Sequence, residues 1–270
     1  MEGWYYRLTT PEGSFALIVS IEDAGNRRSD LNLACIQIVG PADSYLVQAD
    51  TDDTKFWAWK HQQGLGCRFA SRSKAPSLPA SATALDADDW KDQVGSGFQI
   101  LPNHFLGKID GHDGSLGGVL PSQGIPGKCN FDFTVAPRCG WGDADQPRQK
   151  STGGWLSFFA IFEPHWQVTL ADGCATGSIE WQNRTIHFTD APFYAEKNWG
   201  AALPSKWYWT QCNSFPGYNQ LSVTAGGGIR RLPLGGKEAL GMVCVHFNDK
   251  FYQAVPWTGT MTWSPYASSR

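Results

Sequence analysis

Short runs of strand length, bounded by turn-forming residues, recur through this chain of 270 residues. The runs are rich in β-branched and aromatic residues, and Gly, Pro, Asn or Asp stands at most of their ends, as is typical of β-strands. They cover residues 15–21, 33–39, 131–135, 156–162, 166–170, 178–181 and 185–188. No stretch of helix length carries a 3.6-residue apolar stripe. The sequence therefore predicts an all-β fold, built as an antiparallel sandwich or barrel.

A weak internal repeat bears on the number of domains. The segment Glu-Gly-Trp-Tyr-Tyr-Arg at 2–7 is echoed by Lys-Trp-Tyr-Trp-Thr-Gln at 206–211, and a strand-like run follows each copy. This predicts one β-domain over residues 1–200 and the start of a second over 201–270. The second stretch offers five candidate strands, near Trp207, Leu221, Ala239, Phe251 and Thr260. These are fewer than the roughly eight that close a filled barrel, so we expect this domain to be incomplete. In the alternative, the last strands complete the first sheet system.

The charge and cysteine content exclude several classes of protein. Charged residues make up 17% of the chain and the net charge is -3, so no basic surface is expected to hold nucleic acid. No run approaches the roughly 18 apolar residues that span a bilayer. The seven cysteines form no C-x-x-C pair and are odd in number, which predicts reduced thiols rather than a disulfide framework.

Aromatic residues are unusually frequent, with 13 Trp, 8 Tyr and 15 Phe. Such rings suit the lining of a cavity for an apolar ligand, although a core that favours aromatics explains them equally well. The glycine run 226–228 follows a strand-like segment and opens no helix-like one, so it is interpreted as a turn rather than a phosphate-binding loop.

The stretch from 194 to 213 combines one carboxyl with aromatic rings and side-chain amides. Side chains on a strand alternate between two faces, so every second residue is on the same face. The residues that share a face are Tyr194, Glu196 and Asn198 in one segment, and Trp207, Trp209 and Gln211 in the other. If both faces line one cavity, Glu196 is a carboxyl held among aromatic rings.

A carboxyl in such surroundings is suited to proton transfer. Burial disfavours the charged form, so the acid keeps its proton. Aromatic faces can then stabilise a carbocation that forms when an alkene takes that proton. The structural alternative is that Glu196 pairs with Lys197 or another cation at a strand end.

Histidine offers further candidates. His165 precedes an alternating strand and could orient or recharge a carboxylic acid, although a lone histidine is more often structural. No two histidines have the i, i+4 spacing of a helical zinc site, so no metal site is predicted.

Segments along nearly the whole chain resemble the tocopherol cyclase family of plants, algae and cyanobacteria. They are residues 2–6, 55–59, 140–143, 149–152, 162–167, 190–192, 194–200, 206–213, 224–228 and 255–257. More distantly, the chain resembles lipocalin-like carotenoid hydratases, which have an acidic residue in the place of Glu196 within a Tyr-x-acid-x-Asn-Trp-Gly motif. Members of the cyclase family begin before the first segment and continue past the last one, so both ends of this chain are expected to be cut short.

The resemblance implies two lipocalin-like antiparallel β-barrel or sandwich domains and a reaction without cofactors. In that reaction a phytyl- or prenyl-substituted hydroquinol closes to a chromanol, as the side-chain alkene is protonated and the phenol oxygen captures the cation. The implied proton donor is Glu196, with Tyr194 and His165 tuning the acid or positioning the phenol. The implied substrate-binding residues are Trp4, Tyr5, Trp166, Asn198, Trp199, Trp207, Trp209 and Gln211.

The resemblance also implies a location and partners. We expect a plastid protein, associated with plastoglobules or thylakoids, if the source is a plant or alga, and a thylakoid-associated one if it is a cyanobacterium. The substrate would come from a membrane or lipid droplet, with peripheral contact through exposed aromatics. Three alternatives stay open: a non-catalytic prenyl-lipid carrier, an inactive truncated copy, and a relative that uses the pocket for hydration or another cyclisation.

Overall fold

The computed structural model of the protein describes residues 1–22, 33–72, 84–112, 126–143, 149–159, 164–200, 204–231 and 235–259. Within these ranges the chain forms fifteen β-strands, one short α-helix and brief 3-10 turns. This confirms the predicted all-β class. None of the helices in the described ranges is long and apolar enough to cross a membrane.

The elements have the following bounds. The strands are β1 (Glu2–Thr10), β2 (Gly13–Glu22), β3 (Leu33–Val39), β4 (Tyr45–Asp50), β5 (Phe56–Ala58), β6 (Leu65–Ser71), β7 (Val94–Ile100), β8 (His104–His112), β9 (Pro126–Cys139), β10 (His165–Trp181), β11 (Arg184–Trp199), β12 (Lys206–Cys212), β13 (Leu221–Arg231), β14 (Lys237–Phe247) and β15 (Lys250–Ala254). The helix α1 covers Ala87–Gln93, and 3-10 turns cover Pro41–Asp43, Asp53–Lys55 and Gly154–Phe158.

The chain divides into two compact units. The first contains Met1–Pro137 and Gly173–Phe193, and the second contains Arg138–Asp172 and Tyr194–Arg270. This division differs from the predicted one at residue 200, because residues 138–172 belong to the second unit. The reason is that β9, β10 and β11 each run from one unit into the other without a turn. A domain boundary that falls inside a continuous strand leaves no turn signal in the sequence, so it could not be predicted from the pattern of strands and turns.

The first unit contains most of an antiparallel sheet with the strand order β4-β3-β2-β1-β11-β10-β9-β8-β7-β6-β5. Val47 of β4 also pairs with His112 of β8, so eight of these strands form a closed ring. Eight strands enclose an interior that side chains can just fill. Alternate residues of β1 point into it, with Trp4, Tyr6 and Leu8 all buried.

The interior of this ring is aromatic. The ring of Phe105 lies 5.1 Å from Tyr6, 4.9 Å from Phe133 and 5.1 Å from Phe193, measured between centroids. Such offset and edge contacts add to the stabilisation that burial already provides. The high aromatic content is thus partly explained by this core.

Two local predictions were wrong. The sequence predicted no helix, but α1 forms because the Asp86 carboxylate caps it, accepting hydrogen bonds from the amides of Asp88 and Asp89. It has only seven residues and buries only Trp90, so no stripe is visible. The predicted strand at 156–162 overlaps the 3-10 turn Gly154–Phe158 instead, and its residues 160–162 lie outside the described ranges.

The second unit contains a four-stranded antiparallel sheet with the order β12-β13-β14-β15. Four of the five strands predicted in 201–270 are present, and the fifth, near Thr260, falls outside the described residues. In the register of this sheet Trp209 lies opposite Gly226, and Gln211 lies opposite Thr224. The same unit holds the first part of β10 and the last part of β11.

Candidate active site

Glu196 lies near the end of β11 and is only 6% exposed. Because side chains on a strand alternate between two faces, Tyr194 and Asn198 lie on the same face as Glu196. Both donate hydrogen bonds to its carboxyl. The Tyr194 hydroxyl donates to Oε2 at 2.7 Å, and Asn198 Nδ2 donates to Oε1 at 3.1 Å. A single strand thus supplies one donor to each carboxyl oxygen.

Two tryptophans from other strands complete the surroundings of this carboxyl. Trp166 Nε1, on β10, donates to Oε2 at 2.8 Å, and Trp209 Nε1, on β12, donates to the same oxygen at 3.0 Å. An indole nitrogen can only donate. Oε2 is therefore fixed as an acceptor with three donors, while among the described residues Oε1 accepts only from the Asn198 amide.

The donors around Glu196 are neutral. Within the described ranges the ion pairs do not include Glu196. Lys197, the cation suggested as its partner in the structural alternative, has its Nζ 5.5 Å from the centroid of the Trp199 ring. Burial and the neighbouring Glu196 raise the pKa of the Tyr194 phenol well above its usual range. Tyr194 therefore remains a donor at ordinary pH.

The rings of this cluster also contact each other. Tyr194 and Trp209 lie edge to face, with centroids 6.1 Å apart. Trp166 makes a similar contact with the buried Trp141, also at 6.1 Å. The carboxyl is thus enclosed by aromatic surface as well as by donors.

Within the described ranges, the remaining predicted site residues make no hydrogen bond with the Glu196 carboxyl. His165 stacks on Trp199, with centroids 5.1 Å apart, and no hydrogen bond within the described ranges joins it to Glu196. Trp207 is 69% exposed, whereas Gln211 is buried. Trp4 and Tyr5 belong to β1 in the first unit. The structure therefore brings together Tyr194, Glu196, Asn198, Trp166 and Trp209.

Several residues near this cluster were missed from the sequence. The predicted turn at 226–228 is wrong, because these three glycines are internal to β13. A Cβ on Gly227 would lie 2.4 Å from the Leu240 carbonyl oxygen, and one on Gly228 would lie 2.6 Å from that of Lys206. Glycine inside a strand marks such close approaches. Trp141 was missed because its contact with Trp166 is not local in sequence, although a short Gly-Trp-Gly segment marks it.

The fold and this cluster define an all-β protein with a buried carboxyl held by neutral donors. The sequence model of the tocopherol cyclase-like family matches residues 1–268. The chain is 37% identical to the chloroplastic tocopherol cyclase of Zea mays over 97% of its own length and 56% of that protein. It is also 37% identical to a probable chloroplastic tocopherol cyclase of Oryza sativa subsp. japonica, over 97% and 57% of the two chains.

The chain therefore belongs to the tocopherol cyclase-like family. It spans a little over half the length of these curated relatives. Among solved structures, a putative AttH from Nitrosomonas europaea aligns with a TM-score of 0.46 and 12% identity, over 94% of this chain and 68% of that one. Kievitone hydratase from Nectria haematococca aligns with a TM-score of 0.45 and 12% identity, over 93% and 63%.

Proposed function

We propose that this protein closes a prenylated hydroquinol to a chromanol, with Glu196 as the proton donor. The observation that carries the proposal is the unequal hydrogen bonding of the Glu196 carboxyl: three neutral donors at Oε2 and one amide at Oε1. Oε2 then acts as the carbonyl oxygen and Oε1 carries the proton. Rotation of the Asn198 amide by half a turn presents its oxygen to that proton.

In the proposed first step, the alkene π electrons form a C–H bond with the Oε1 proton. Glu196 becomes a carboxylate, and a tertiary carbocation forms in the prenyl chain. The donors at Oε2 favour this step because hydrogen bonds to a carboxylate are stronger than those to the neutral acid.

In the proposed second step, a phenol oxygen lone pair forms a C–O bond with the cation. The phenol proton returns to Oε1 of Glu196, which balances the reaction and restores the acid without any cofactor. Until then, the faces of Tyr194 and Trp209 can stabilise the cation. The low exposure of the site keeps water from competing for it.

The partners and location are part of the same proposal. Because the curated relatives are named as chloroplastic, we propose a plastid location, at plastoglobules or thylakoids. The substrate would be taken from a membrane or lipid droplet. Exposed aromatics that could make peripheral contact include Trp155 at 56% and Phe158 at 86% exposure.

Replacement of Glu196 by Gln tests the proposal, because it keeps the shape of the side chain and removes the acid. We expect chromanol formation from a prenylated hydroquinol to fall by roughly 10²- to 10⁴-fold, the range that general acids contribute. Circular dichroism checks that the variant folds. The matched control is Glu180→Gln, on the same strand as Trp166 but in the first unit, where the carboxylate accepts from Asn130.

The outcome distinguishes the proposal from its alternatives. Near-normal cyclisation by folded Glu196→Gln contradicts the role of Glu196. If the unmodified protein binds the hydroquinol without forming chromanol, the protein is a carrier rather than a cyclase.

A further inference from the structure

Gly226 lies in the middle of β13, directly opposite Trp209 in the strand pairing. A glycine at such a position weakens a strand, so it marks a close approach by another group. A Cβ there would lie 2.9 Å from both Cη2 and Cζ3 of the Trp166 indole. Carbon atoms in contact are usually about 3.5–4.0 Å apart. Trp166 therefore occupies the space that a side chain at 226 would need.

This contact involves the end of the indole that is farthest from its nitrogen. Cη2 and Cζ3 belong to the six-membered ring, while Nε1 at the other end donates to Glu196 Oε2 at 2.8 Å. A shift of roughly 0.5–1 Å, which would restore normal carbon contacts at Gly226, would displace Nε1 from its hydrogen bond. The buried ring of Trp141 packs edge to face against Trp166 and limits other adjustments.

The two neighbouring glycines differ from Gly226 in what they approach. Gly227 and Gly228 lie against the backbone oxygens of Leu240 and Lys206, so they serve the pairing of the sheet. Gly226 alone of these three lies against a side chain that contacts the Glu196 carboxyl. Its role is therefore separable from strand pairing.

We propose that Gly226 is a positioning residue for proton transfer: by leaving room for the Trp166 ring, it holds one of the three donors on Glu196. The inference rests on the proposed function of Glu196 as the acid. It assigns to Gly226 an effect on the rate of the chemical step rather than on substrate binding.

The test is Gly226→Ala, assayed with a prenylated hydroquinol. A hydrogen bond to a charged group is worth roughly a 10- to 100-fold change in rate, so we expect kcat to fall by about that factor and KM to change less than about twofold. In a Trp166→Phe background, which already lacks the donor, Gly226→Ala should lower kcat further by less than about threefold. An equal fold-loss of kcat in the unmodified protein and in the Trp166→Phe background would overturn the proposal.

A second readout does not depend on activity. The readout is the NMR signal of each indole N–H group in protein labelled with ¹⁵N at the indole nitrogens. The Trp166 and Trp209 signals are assigned by their loss in the Trp166→Phe and Trp209→Phe variants. Gly226→Ala should move the Trp166 N–H signal towards that of a weaker hydrogen bond and leave the Trp209 signal in place. An unmoved Trp166 signal in a folded variant contradicts the inference. If Glu196→Gln cyclises normally while the signal moves, the proposed role of Glu196 in proton transfer fails, and what remains is the effect of Gly226 on the hydrogen bond between Trp166 and Glu196.

The control is Gly3→Ala on β1, where a Cβ would meet only the Val19 oxygen, at 3.8 Å. It should change neither signal and neither kinetic constant. Should Gly226→Ala fail to fold, recovery of folding on adding Trp166→Phe supports the steric relation between the two positions, and continued unfolding of the double variant overturns it.

Discussion

Two tyrosines are almost fully buried within the described ranges, and they differ in what their hydroxyls contact. Tyr194, at 0% exposure, donates to Glu196, whereas the hydroxyl of Tyr6, at 1%, has no hydrogen-bond partner within the described ranges. Burial raises the pKa of both phenols above the usual range, so both are neutral in the folded protein. A buried polar group stabilises a fold only when it is paired.

Replacing each phenol by Phe should therefore have opposite consequences. We expect Tyr6→Phe to leave the free energy of unfolding unchanged or raise it by up to about 1 kcal/mol, because an unpaired hydroxyl is removed. Tyr194→Phe should lower the free energy of unfolding by about 1–3 kcal/mol, because the hydrogen bond from the phenol to the Glu196 carboxyl is lost. Urea denaturation followed by circular dichroism measures both values. Equal losses in the two variants would contradict this account of the buried hydroxyls.

Spacing along one strand was enough to predict part of the site. Strand geometry alone places Tyr194, Glu196 and Asn198 on one face, and the structure shows that Tyr194 and Asn198 both donate to the Glu196 carboxyl. Trp166 is 30 residues away along the chain, and strand periodicity does not reveal which strands are neighbours. Its part in the site came from the resemblance to a family, and the steric role of Gly226 required the contact itself.

Two hairpin turns of this protein have backbone angles that most side chains avoid. Asn248 and Asp249, between β14 and β15, have φ angles of 50° and 62°, and Gln182 and Asn183, between β10 and β11, have 51° and 63°. Two consecutive left-handed residues form the type of two-residue turn that matches strand twist. Asn and Asp tolerate this conformation, and glycine tolerates it best.

The β14–β15 turn provides a test of this point. Asp249→Gly should raise the free energy of unfolding by up to about 1 kcal/mol, because it relieves the left-handed strain. Asn248→Val should lower it by about 1–2 kcal/mol, since a β-branched residue is poorly accommodated there. Urea denaturation midpoints measure both effects. A stabilising Asn248→Val would show that the turn is not left-handed in solution.

The length of the strands was harder to predict than their presence. β3 was predicted with its observed bounds, whereas the runs 166–170 and 178–181 belong to one strand, β10. Asp172, Gly173 and Gly177 stand between those runs and are typical of turns, but here the strand continues through them. Gly177 has a φ of 151°, and a Cβ there would lie 2.3 Å from the backbone carbonyl oxygen of Asp132 on β9. This glycine therefore marks a close approach between two strands rather than a turn.

Cysteines lie in both units of the molecule, so their reactivity tests whether each unit is folded. None of the seven cysteines forms a disulfide, and five of them are buried: Cys35, Cys67, Cys129, Cys174 and Cys244. Burial raises the pKa of Cys35 to about 11 and that of Cys67 to about 12, and in the second unit it raises the pKa of Cys139 to about 12. Only the thiolate reacts with disulfide reagents, and a raised pKa keeps its fraction small.

We therefore expect most thiols of the native protein to resist a disulfide reagent at pH 8 and all seven to react in concentrated urea. The partly exposed Cys212 should react first, and Cys212→Ser, which removes that fast phase, is the matched control. Spectrophotometric counting of released thiolate over time measures the rates. The buried thiols become reactive only when the surrounding structure opens, so rates for Cys35 and Cys67 equal to those of an unfolded chain would mean that the first unit does not stay folded.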